Sequence, residues 1–326
     1  MKIVLSRTDR IGDLLLSTPA IATVRRSFPN AHITLVTSAY NRVVVERNAD
    51  IDELVSLPSS IRPERFGAQF RNVDLAIALA PRSEDLRVVG ATRAKVRVGY
   101  TYARRYLARL TSRLFVNRMA ISEADPDLCE RDPHRVVRHE VDQLLDLVAL
   151  GGARERVADL RLDLRDEDRA AIAWLPDRPI VLHLAPRWFH SGSTLASTVE
   201  LARRLAGLGR PLVITANAEI GSAVEAFADV GAAEVLCDLP FFHWAAVIER
   251  AAGVVTVDTG ATHVASAMRR PTLVAFENRY FRLASQEWAP YRVPSRSLRK
   301  PQCDDEASLA HFRDEVVDGV ADLINA

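Results

Sequence analysis

Short apolar runs alternate with stretches whose apolar residues recur at helical spacing, and the alternation restarts once along the chain. Lys2–Ser6 (KIVLS) is apolar from its second residue, as a parallel strand buried on both faces should be. A polar loop, Arg7–Gly12, follows. From Asp13 the run LLLSTPAIATVRRSF predicts a helix with Leu15, Ala20, Ile21 and Val24 on its apolar side, distorted near its first turns by Pro19. Strands are predicted at His32–Ser38, Glu53–Leu57, Val73–Leu79 and Val96–Tyr100, and an amphipathic helix at Arg138–Leu150, stopped by Gly151-Gly152. The pattern then begins again. Strands are predicted at Ile180–Leu184, Pro211–Thr215, Gly253–Val257 and Pro271–Phe276. Helices are predicted at Ala196–Leu208, Ile220–Ala228, Phe242–Ala252, Ala261–Met268 and, amphipathic and last, 306–326. Repeated β-α-β units imply parallel sheets covered by helices, and two runs broken near 152–178 imply an α/β chain of two Rossmann-like domains. The expected division is 1–160, 161–305 and a terminal helix over 306–326.

Composition agrees with two domains. A chain of 326 residues is too long for one ordinary core. Apolar residues make up 48% with no run of about 18, so no membrane span is expected. The opening MKIVLSRTDRIGD does not resemble a secretory signal. Cys129, Cys237 and Cys303 are far apart, with neither a disulfide framework nor zinc-ligand spacing. A cytoplasmic protein is expected. The net charge of +1 hides an asymmetry: residues 1–150 carry 23 Lys and Arg against 18 Asp and Glu, and the remainder 20 against 24. Arg82 to Arg118 holds ten basic residues and two acids, Glu84 and Asp85. Such a segment suits an anionic partner; a solvated helical face explains it equally well.

Open α/β sheets bind ligands beyond the carboxyl ends of their strands. Two loops stand there. Arg7-Thr8-Asp9-Arg10-Ile11-Gly12-Asp13 follows the first strand. Gly12 suits a tight turn or a close ligand approach, Asp13 suits a general base or a helix N-cap, and Arg7 and Arg10 suit phosphate or solvent. Asp258-Thr259-Gly260-Ala261-Thr262-His263 follows the strand GVVTV and opens a helix, where free N–H groups and the helix dipole attract anions. There Asp258 or Thr259 equally suits a cap, and His263 a half-buried core position. The chain contains no GxGxxG after its first strand, no GxxxxGK[ST] and no GxSxG, which argues against nicotinamide enzymes, P-loop enzymes and elbow hydrolases. Asp50-Ile51-Asp52, Asp125-Pro126-Asp127 and Asp166-Glu167-Asp168 have a spacing that suits a divalent ion, but the pattern is so short that solvated acids are the better reading.

With these residues in view, the opening MKIVLSRTDRIGDLLLSTPAIATVRRSFPNAHITLVTS resembles the start of glycosyltransferase family 9, the ADP-heptose:lipopolysaccharide heptosyltransferases. GVVTVDTGATHVASAMRRPTLVAF resembles the family's second signature, and VRVGY, HEVDQLLDLVALGG and IVLHLAP match more weakly. The resemblance implies a GT-B fold, two Rossmann-like domains with parallel sheets facing a central cleft, the last helix often crossing back to the first domain. It implies an inverting, metal-independent transfer of a heptose or related sugar, with no cofactor beyond the ADP-sugar substrate. Asp13 matches the proposed catalytic base. Asp258, Thr259, Gly260 and His263 match the donor signature, Glu219 falls near a donor-contacting acid, and Arg187 is the nearest cation where the family carries a Lys-containing loop. Ser191 stands at the position of that Lys, and Glu277-Asn278-Arg279-Tyr280 replaces a Gly-Pro turn. The acceptor, an anionic lipopolysaccharide core or similar glycolipid, is expected at Arg7, Arg10 and Gly12 and at Arg104 and Arg105 of the basic segment. A peripheral contact with the inner membrane surface would follow, and no nucleic acid partner is expected. Two rival readings are a sugar-nucleotide epimerase or hydrolase, and a nucleotide-binding member without turnover.

Overall fold

The protein, represented by a computed structural model, is described over residues 1–325 and divides into two units, Met1–Asp163 and Leu164–Ala326. The first unit is built on a six-stranded parallel sheet of β1 (Lys2–Ser6), β2 (His32–Thr37), β3 (Glu53–Ser56), β4 (Leu75–Ala78), β5 (Val96–Tyr102) and β6 (Arg118–Ser122), in the order β3-β2-β1-β4-β5-β6. The second repeats the plan with β7 (Ile180–His183), β8 (Leu212–Ala216), β9 (Glu234–Cys237), β10 (Gly253–Val257), β11 (Thr272–Phe276) and β12 (Ser295–Arg299), in the order β12-β11-β10-β7-β8-β9. Both are doubly wound sheets of one connectivity. The central strands are apolar throughout because helices cover both of their faces. Leu5 sits in register with Leu35 on β2 and Ile77 on β4, and all three are buried.

Three strands escape the hydrophobic pattern: β6 (RMAIS), β9 (EVLC) and β12 (SRSLR). All lie at sheet edges and keep partly exposed side chains, so they are formed by pairing with an apolar neighbour and not by their own burial. The helix after β1 begins at Ile11, not at Asp13, and Gly12 is buried inside it and not in a loop. It ends at Leu16, and a second helix runs Thr18–Ser27 with Pro19 in its first turn, where the missing N–H costs nothing. The helix expected at Ile220–Ala228 is a kinked 3₁₀ segment, Ala218–Phe227, broken by Gly221 at φ 56°.

The final helix, Glu306–Asn325, packs against the helix Leu195–Ala206 and against β10, β11 and β12. Its Phe312, Val316, Val320 and Ile324 are buried in the second unit's core. Its apolar stripe belongs to the sheet it follows.

Candidate active site

In the first unit the winding reverses between β1 and β4, which opens a crevice at their carboxyl ends. Arg7 is the first residue beyond β1 and only 1% exposed. Its N–H donates to the Val36 carbonyl (2.9 Å), and its own carbonyl accepts from Asn41 Nδ2 (3.1 Å). The guanidinium donates through Nε to Asp9 Oδ1 (2.9 Å), through Nη2 to Glu140 Oε1 (2.7 Å), and through Nη1 to the Leu79 carbonyl beyond β4. Asp13 Oδ1 stands 3.5 Å from Nη2. A buried cation this well paired is costly to disturb. Arg7 therefore organises the crevice from inside, which corrects its expected role as an acceptor-phosphate ligand.

Asp13 is the third residue of its helix. Arg10 holds the cap position, and no side chain caps the helix, so the cap reading of Asp13 falls. Its carboxyl remains accessible, with 23% of the side chain exposed. Burial pushes it up to about 7; Arg7 opposes the shift, Glu140 and Asp9 add to it, and Arg10 opposes it weakly. A carboxylate poised there suits proton abstraction near neutral pH. A second buried acid, Asp85, accepts from the hydroxyls of Ser6 (2.6 Å) and Thr8 (3.1 Å), and burial raises it to about 6. Neither Glu140 nor Asp85 was singled out from sequence. Each lies in the first turn of an amphipathic helix, where an acid ordinarily signals only the helix dipole. Arg10, Arg104 and Arg105 are exposed at the same carboxyl edge of the sheet. Tyr100, whose hydroxyl lies 3.5 Å from Glu140 Oε1, also lines a cavity of 340 Å³ with Ser122, Arg138, Gln143 and Asp146.

The second sheet reverses between β7 and β10. Arg187, just beyond β7, donates through Nη1 to Asp258 Oδ2 (2.7 Å) and to the Asp258 carbonyl (2.5 Å), bridging the two strand ends. Thr259 takes the cap position of the helix Gly260–Ala267 without a side-chain cap bond, and its hydroxyl lies 3.2 Å from that of Thr256. Asp258, Thr259 and Gly260 are half-buried at this helix start, where the helix dipole favours an anion. His263 lies one turn further in and is 5% exposed. Glu219 is exposed in the 3₁₀ segment after β8.

A lysine from elsewhere in the chain also meets the loop after β7, in which Ser191 stands at the family's Lys position. Lys300, just beyond β12 and fully buried, donates through Nζ to the Arg187 carbonyl and to the His190 carbonyl (2.9 Å). Burial lowers it to about 8; Glu277 resists the shift, Arg187 adds to it and Asp304 resists it. Lys300 holds the 186–190 segment from beneath. Only the fold reveals this, since 110 residues separate it from His190. The DxD acids have structural partners: Asp52 accepts from Arg25 Nη2 (2.5 Å) and the Ile33 N–H (2.7 Å), Asp125 caps the helix Pro126–Arg131, and Asp168 accepts from the Arg165 N–H (2.7 Å).

Two doubly wound units, each with polar side chains gathered at its switch point, define an α/β fold of the GT-B class. Residues 201–299 match the family model of glycosyltransferase family 9 (heptosyltransferase). Among solved structures, the glycosyl transferase family 9 protein from Veillonella parvula superposes with a TM-score of 0.78 at 17% identity, covering 99% of this chain and 97% of that one. The Escherichia coli ADP-heptose lps heptosyltransferase II gives 0.75 at 17%, covering 100% and 99%. The Escherichia coli heptosyltransferase WaaC with ADP gives 0.66 at 19%, covering 98% and 99%. A comparison with curated proteins found no match.

Proposed function

We propose that the chain is an inverting glycosyltransferase that moves a heptose or related sugar from an ADP-sugar to an anionic glycolipid acceptor such as a lipopolysaccharide core. The observation that carries the reading is Asp13: uncommitted as a cap, accessible, and tuned to about 7 at the switch point of the first unit. The donor class rests on the family match over 201–299 and on the relatives solved with ADP and with ADP-2-deoxy-2-fluoro heptose. In the proposed reaction the acceptor hydroxyl gives its proton to Asp13 as its oxygen bonds to the anomeric carbon. The bond from that carbon to the diphosphate oxygen breaks, and ADP departs with the electron pair. Negative charge grows on the diphosphate, which the N–H groups at Thr259 and Gly260 and the cation of Arg187 are suited to receive. No metal or cofactor is assigned a step. The protein is proposed to act in the cytoplasm at the membrane's inner face, where such an acceptor would be presented.

The test is incubation with ADP-heptose, with and without a heptose-deficient lipopolysaccharide acceptor. Acceptor-dependent release of ADP that Asp13→Asn abolishes, with calorimetric ADP affinity retained, supports transfer. Turnover of the donor alone establishes the epimerase or hydrolase reading, and binding without turnover the non-catalytic one.

A further inference from the structure

Beyond β5 the chain turns at Arg104 and Arg105 into a short helix, Tyr106–Ser112. This helix buries little of itself. Tyr106 is 76% exposed, Leu107 81%, Leu110 68% and Leu114, just past its end, 78%. Scattered exposed apolar residues are ordinary, but four large ones within nine consecutive positions are not. Helical spacing groups them: 106 with 110, 107 with 110 and 114. Arginines interleave with them. Arg105 lies over the Tyr102 ring (5.1 Å) and Arg109 over the Tyr106 ring (5.8 Å), while Arg104 and Arg113 are exposed. No acid occurs between Asp85 and Glu123.

We infer that the helix Tyr106–Ser112 is a membrane-docking element that seats Tyr106, Leu107, Leu110 and Leu114 at the headgroup boundary of an anionic bilayer, with the flanking arginines on the lipid phosphates. Apolar side chains ringed by cations, with a tyrosine among them, have the chemistry of an interfacial helix. Charge selects this occupant over a second copy of the chain. A twofold self-contact would bring arginine clusters against each other without an acid to pair them. The helix leaves the carboxyl end of β5, at the edge of the sheet where Arg7 and Asp13 lie beyond β1. Docking would therefore bring that edge towards a lipid-borne acceptor. The inference extends the proposed contact with the membrane face, but it does not require turnover, so the two readings fail separately.

Vesicle co-flotation tests it, using phosphatidylcholine alone and phosphatidylcholine with about a quarter phosphatidylglycerol, at low and high salt. The wild-type chain should float with the anionic vesicles, and salt should weaken this. Replacing both Arg104→Gln and Arg105→Gln should weaken binding about thirtyfold, from the affinity contributed by each cation near an anionic surface. Replacing both Leu107→Ser and Leu110→Ser should also reduce binding, with the circular dichroism unchanged because neither side chain is buried. Wild-type binding that the leucine substitutions leave intact would overturn the inference, as would equal binding to both vesicle types. Concentration-dependent dimerisation abolished by the leucine substitutions, without vesicle binding, would assign the face to self-association and overturn it too.

Discussion

Asp13 makes a prediction in which activity and stability move in opposite directions with pH. Burial beside Arg7, Glu140 and Asp9 raises its carboxyl from 3.8 to about 7. The folded chain thus holds the proton more tightly than the unfolded one. The stability contributed by the neutral acid is complete below pH 3.8 and is lost progressively as pH rises through about 7. Above that the charged carboxylate costs the fold at most about 4 kcal/mol, at 1.36 kcal/mol per pKa unit. As a base Asp13 must be ionised, so kcat/KM should rise through the same range and level off above it. Asp13→Asn should therefore abolish turnover and stabilise the first unit, by an amount that grows between pH 4 and 8. All four tryptophans, Trp174, Trp188, Trp244 and Trp288, belong to the second unit, so fluorescence would report on the wrong half. Hydrogen exchange at the amides of β1 and β4, measured against pH, reads the right one. A stability difference between variant and wild type that stays constant from pH 4 to 8 would refute the account of Asp13, whatever the variant does to activity.

Glu140→Gln removes a negative charge that raises Asp13, so the acidic limb of the kcat/KM profile should move to lower pH; a profile that stays in place would remove Glu140 from the network. Arg187→Ala breaks the bridge to Asp258 between groups that remain a quarter to a third exposed, so ADP affinity should fall about tenfold while the melting temperature changes little. Calorimetric titration with ADP decides this, and unchanged affinity sinks the donor assignment. Gly192→Ala places a methyl carbon 2.0 Å from the Pro301 carbonyl at a φ of +84°. It should cost more than about 2 kcal/mol in urea unfolding followed by tryptophan fluorescence. A near-neutral effect would mean that the 190–193 turn is softer than its geometry implies.

Much of the architecture was legible because it rests on local pattern. Apolar runs such as KIVLS and GVVTV report burial on both faces, and their alternation with amphipathic helices implies two parallel sheets. The placing of Asp13, Asp258, Thr259 and Gly260 at strand ends follows from the same periodicity, since a doubly wound sheet puts its ligands there. The polar edge strands β6, β9 and β12 were not legible, because they are stabilised by a neighbour's ladder and not by their own side chains. The helix start at Ile11 was missed because a cap-type residue was expected and Arg10 serves without a side-chain bond.

Residue types and their order along the chain determined the two α/β units, the strand-end loops and the basic segment. Only the tertiary structure decided what those residues do. It turned Arg7 inward, set Glu140 beside it from 133 positions away, and brought Lys300 beneath the 186–190 loop. The physical reason is that burial and charge pairing depend on distance through space. Desolvation and the neighbouring charges tune Asp13, and both arise only when distant segments close around it.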